Sequence, residues 1–86
     1  MPSIMTFEIP KLSDMDYQSV TDENGIDLIA FCLLVLNRLE FKLIDDPRCE
    51  KVMHTLNSLK SILGPVTKEQ CSSIASSLVL LLMVSD

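Results

Sequence analysis

The chain has 86 residues, 48% of them hydrophobic, with three cysteines, one histidine and a net charge of −5. A domain this small buries only about 60–65% of the surface its unfolded chain exposes, so disulfides, a metal or association must add stability. An odd number of widely spaced cysteines (Cys32, Cys49, Cys71) argues for reduced thiols, and one histidine without a Cys-x-x-Cys argues against zinc.

The acidity is concentrated early. Residues 1–37 carry a net −5 and residues 38–68 a net +2. A non-specific nucleic-acid binder needs the opposite balance, because phosphate contacts dominate its affinity. Residues 1–20 show no helical period: Pro2 and Pro10 interrupt them, while Met5, Phe7 and Ile9 alternate. This predicts an extended N-terminal arm over 1–20, preceding a helical domain over 21–86. A single helical turn is expected near 13–18, capped by Ser13 with Asp14 and Asp16 at the positive helix end. A purely solvated tail rarely carries Phe7, Ile9, Leu12 and Tyr17 together. Phe7, Ile9, Asp14, Asp16 and Tyr17 are therefore the candidate contacts of an arm that docks onto a second copy or another protein, and the acidic stretch 8–27 suits a basic protein surface.

Helix A is predicted over about 22–44. Thr21, Asp22 and Asn24 are good caps, and Asp22, Glu23 and Asp27 favour its start. The nine residues 28–36 contain no polar side chain, so a helix there has no side suited to water and must be enclosed. Past Leu36 the pattern becomes amphipathic, with Leu39, Leu43 and Ile44 apolar. Asp45-Asp46-Pro47 separates helices, since Pro47 fits only a first turn, with Asp46 as cap.

Helix B, about 47–63, places Cys49, Val52, Leu56, Leu59 and Leu63 along one seam widened by Met53 and Ile62. Gly64-Pro65 ends it. Helix C, about 67–84, starts with the capping box Thr67-Lys68-Glu69-Gln70 and carries Cys71, Ile74, Ala75, Leu78 and Leu82 inward. Ser72, Ser73, Ser76 and Ser77 form a small opposite face, and 78–84 is apolar all round. The expected fold is all-α: a three-helix bundle in which B and C form an antiparallel hairpin and A packs across it.

Catalytic and metal chemistry is not expected. Cys49 and His54 lie five residues apart, about 500° around a helix, and so on different faces. Asp14-Met15-Asp16 opens like a calcium loop, but Ser19 and Gly25 stand where its glycine and acidic residue belong. No phosphate-binding glycine loop and no cofactor motif occur. The apolar runs of nine and seven residues fall short of the roughly 20 needed to span a bilayer, and the first twenty residues lack a basic start followed by an apolar core. A cytoplasmic protein is expected. Surplus apolar surface on A and C implies a homodimer, with Leu28, Phe31, Cys32, Val35, Leu78, Leu81 and Leu82 at the contact. The expected function is a non-enzymatic interaction module that binds another protein, a profile shared with small phage- or virus-encoded inhibitors and adaptors. The alternative is a membrane-surface protein, such as an immunity or anchoring factor, with 78–84 in lipid; acidity disfavours it.

Overall fold

Helix α1 (Asp14–Ser19) is the first element of the computed structural model, which describes residues 12–84. Phe7 and Ile9 lie outside the described residues. Among those described, the chain is mostly helical, with four α-helices and a two-stranded antiparallel sheet. Ser13 caps α1 as expected: its Oγ accepts the Asp16 N–H at 3.3 Å, and Asp16 Oδ2 accepts the Ser13 N–H at 2.9 Å. Six residues cannot sustain a helix alone. Tyr17 holds it to the core by stacking on Phe31, with ring centroids 5.6 Å apart, and Val20 at its end is buried. The second half of the expected arm is thus folded against the helices.

Helix A is shorter than predicted at both ends. Strands β1 (Thr21–Asp22) and β2 (Gly25–Ile26) replace its first turn, pairing Thr21 with Ile26 and Asp22 with Gly25. The turn is chemically specified. Asp22 Oδ1 accepts the Asn24 N–H at 2.8 Å, and Gly25 adopts φ 114°, where a side chain would be strained. Helix α2 (Leu28–Arg38) begins beyond it, with Asp27 Oδ1 accepting the N–H groups of Ile29 and Ala30 at 3.0 and 3.2 Å. Thr21, Asp22 and Asn24 are therefore hairpin residues, and Asp27 is the cap.

The other end of α2 closes in a Schellman arrangement. The Phe41 N–H donates to Leu36 O at 2.9 Å and the Glu40 N–H to Asn37 O at 3.0 Å, with Glu40 at φ 60°. Glycine usually occupies this position, so Glu40 carries a side-chain strain that glycine lacks. Glu40→Gly is expected to raise stability by about 0.5–1 kcal/mol, once the greater freedom of an unfolded glycine is deducted. Urea denaturation measures it, and a loss of stability would show that the Glu40 side chain contributes more than its backbone costs. Leu43, expected on helix A, lies instead in the 3₁₀ turn Leu43–Asp45, where it is buried.

Helix α3 (Cys49–Leu63) starts two residues later than predicted, because Pro47 and Arg48 complete the preceding turn. Asp46 still receives the Arg48 N–H at 2.8 Å, but Arg48 occupies the cap position. Gly64, at φ 65°, ends α3 with its N–H on Lys60 O at 3.1 Å. Val66 then bridges to Ile26, tying the connection to the hairpin. Helix α4 (Lys68–Val84) begins with the expected capping box: Thr67 Oγ1 accepts the Gln70 N–H at 3.2 Å, and Gln70 Oε1 accepts the Thr67 N–H at 2.9 Å.

Helix α2 packs against both α3 and α4, which approach each other less closely. The cause is the apolar run: Leu28, Phe31, Cys32, Val35 and Leu36 are all buried, so α2 offers two sides that demand cover. Its remaining side is not enclosed, and Leu33 stays 38% exposed. At the far ends of α3 and α4, Arg48 joins the two. Its guanidinium forks onto Asp46 at 2.8 and 2.7 Å and donates through Nη1 to Leu82 O at 2.8 Å, satisfying a carbonyl in the last turn of α4.

Candidate functional site

Because α3 and α4 pack on α2 more closely than on each other, an apolar groove lies between them. Along α3 the seam rises out of the core: Val52 and Leu56 are buried, Leu59 is half-buried, and Leu63 is 39% exposed. Along α4, Cys71, Ala75, Leu78, Val79 and Leu82 are buried, while Ile74 and the 61% exposed Leu81 flank them. The groove between these flanks has a volume of about 300 Å³, with Leu56, Leu59 and Leu78 below and Ser73, Ile74, Ser77 and Leu81 along one wall. A shallower hollow of about 390 Å³ continues it towards Leu63, Gln70 and Glu69. Ile62, one turn from Leu59 on the same side of α3, is 78% exposed.

Six of the seven side chains expected between copies are already covered within one. Leu28, Phe31, Cys32, Val35, Leu78 and Leu82 are each 0–8% exposed, so only Leu81 presents a surface. The expectation assumed that an all-apolar helix needs a second chain, whereas α1, α3 and α4 cover most of α2. Leu59, Leu63 and Ile74, absent from the expected contact, line the groove and the hollow that continues it instead. Their signal was present in the α3 seam, where Leu59 and Leu63 continue the stripe past Val52 and Leu56.

The candidate arm residues are engaged within the chain. Asp14 pairs with Lys68 Nζ at 3.4 Å, and Lys68 Nζ also lies 4.5 Å from the Tyr17 ring centroid. Asp16 receives Ser13 and Arg38, and these hold its carboxyl below the usual range, with the Ser13 backbone N–H the largest cause. Asp14, Asp16 and Tyr17 therefore fasten α1 to the start of α4 and the end of α2.

Nucleophilic chemistry finds no support in the thiols. Burial, then the neighbouring Cys71, pushes the Cys32 thiol up to about 12, and burial with the charge of Asp27 pushes Cys71 to about 11. A thiol shifted this way is inert. Cys49 is half-buried and His54 is exposed, and all three cysteines are free. Among the described residues, no group of three or more His, Cys, Asp and Glu could hold a metal ion. A polar hollow of about 290 Å³ beside the hairpin includes Asp22, Asn24 and Lys60, but its Asp27 caps α2 and pairs with Lys60 at 3.5 Å. No helix among the described residues is long and apolar enough to cross a membrane. No family model, no curated protein and no solved structure matches the chain.

Proposed function

We propose that the chain is a non-enzymatic, cytoplasmic protein-interaction module that works as a homo-oligomer, most simply a two-fold dimer, and acts by binding another protein. The apolar α3–α4 groove and the hollow that continues it, with Leu81 and Leu63 exposed along them, carry this reading. Monomers rarely leave contiguous apolar patches of more than a few hundred Å² open to water. A second copy closes such a face about a two-fold axis and leaves no end for further growth. The three-helix unit of α2, α3 and α4 is then completed by its counterpart. The hairpin, with Asp22 and Glu23 exposed, remains outside as an acidic surface suited to a basic protein partner.

Leu81→Glu tests the reading. Leu81 is 61% exposed in one copy, so a carboxylate there costs the monomer little, whereas buried in an apolar contact it is heavily penalised. Sedimentation equilibrium at micromolar concentration is expected to give a dimer for the native chain and a helical 9.6 kDa monomer for the variant. A native chain that remains a folded monomer would refute self-association. Flotation of that monomer with anionic vesicles would assign the exposed end of α4 to a membrane surface.

A further inference from the structure

We infer that the second copy docks antiparallel across the α3–α4 groove, so that Lys51 of each copy meets Glu69 of the other. The inference rests on the self-association proposed above and specifies its geometry.

The groove has opposite charges at its two ends. Helices α3 and α4 run in opposite directions: the connection 64–67 joins the end of one to the start of the other, and Arg48 Nη1 reaches Leu82 O at 2.8 Å at the far side. Glu69, in the first turn of α4, lines the end near Leu63. Lys51 sits one turn before Thr55, which lines the opposite end. The two lie about 20 Å apart along the groove, at 1.5 Å per residue of α3. Both are exposed, and among the described residues neither has an ion-pair partner.

This polarity selects one orientation. A two-fold axis along the groove sets Lys51 beside Lys51 and Glu69 beside Glu69, with like charges at both ends. An axis perpendicular to the groove reverses one copy against the other and forms two opposite-charge pairs. The antiparallel arrangement is isologous and closed, as a dimer requires. A face two helices wide, at about 10 Å each, and about 20 Å long covers roughly 400 Å² in projection on each copy, about 800 Å² for the pair, which is the size of a small, weakly associating interface. The apolar floor supplies affinity at its centre, where Ser73 and Ser77 leave room, and the charged ends set the register.

Sedimentation equilibrium at low salt on the native chain, Lys51→Glu, Glu69→Lys and the double exchange tests the geometry, with circular dichroism checking that each remains folded. Because each substitution alters two symmetry-related pairs, either single change is expected to weaken dimerisation by about five- to tenfold. The double exchange recreates both pairs and is expected to return the dimer constant to within about twofold of native. A zero-length carbodiimide crosslink between Lys51 and Glu69 of different copies provides a second readout on the native chain. If the native chain dimerises but the double exchange is weaker than either single change, this docking is overturned and self-association stands. A strictly monomeric native chain overturns both.

Discussion

Phe31→Ala is expected to lower stability by about 3–5 kcal/mol, the range for removing a fully buried phenylalanine. Phe31 is 0% exposed, at the end of the first turn of α2, and Tyr17 stacks on it with centroids 5.6 Å apart. Truncation therefore leaves a cavity in a dense interior and also removes the contact that fastens α1, whose six residues have no independent stability. Leu33→Ala, two residues away on the same helix, is expected to cost less than half as much, since Leu33 is already 38% exposed. Urea unfolding at one fixed protein concentration compares the two, because self-association makes apparent stability concentration-dependent. Equal losses would mean that α2 is rotated from the orientation described, or that Leu33 is covered by a second copy. Repeating the measurement at higher dilution separates these outcomes.

Arg48→Ala is expected to cost about 1.5–3 kcal/mol, the contribution typical of hydrogen bonds to a charged group. One guanidinium holds Asp46, the Leu82 carbonyl and, 5.9 Å away, the Phe41 ring. Its loss removes this donor from the Leu82 carbonyl and frees the turn that precedes α3. Arg48→Lys should recover part of the stability, because lysine keeps the charge but cannot fork across a carboxylate. A change below about 0.5 kcal/mol in Arg48→Ala would show that α4 ends independently of this residue.

The same contact produces a pH dependence. Hydrogen bonds from the Arg48 side chain and backbone hold the Asp46 carboxyl at about 2, against 3.8 ordinarily. The unfolded chain therefore takes up this proton more readily than the folded one. The resulting stabilisation is complete above about pH 4 and is lost as pH falls from there towards 2. Asp16, also lowered, adds to the same acid limb. In Asp46→Asn that limb becomes shallower without vanishing, which unfolding followed from pH 5 to 2 would reveal.

Features governed by neighbours within one turn were legible in the sequence. Ser13 with Asp16, Thr67 with Gln70, Gly64 before Pro65 and the Val52 and Leu56 part of the α3 seam appear where their local chemistry puts them, whereas Ile62 and Leu63 at its end are exposed. The hairpin was also written locally, in Asp22 at the start of a turn and Gly25 at its end, but the same residues suit a helix start equally well. Only the pairing of Thr21 with Ile26, and of Ile26 with Val66 some forty residues later, decides between them.

The end of α2 was hidden for a different reason. Glu40 has good helical propensity and nothing of the glycine usual at a positive φ, so the pattern through Leu39 and Leu43 read as continuous helix. The strain is tolerated because Phe41 turns back to donate to Leu36 O and lies beside Leu36 and Leu39, Val79 and Leu82. By itself the sequence determined that the run 28–36 must be covered, since its hydrophobicity belongs to the side chains and holds in any arrangement. Which surfaces cover it was decided by tertiary packing. Burial energy is non-directional, so nothing in the composition dictates that α3 and α4 lie on either side of α2 and leave Leu59, Ile74 and Leu81 around an open groove.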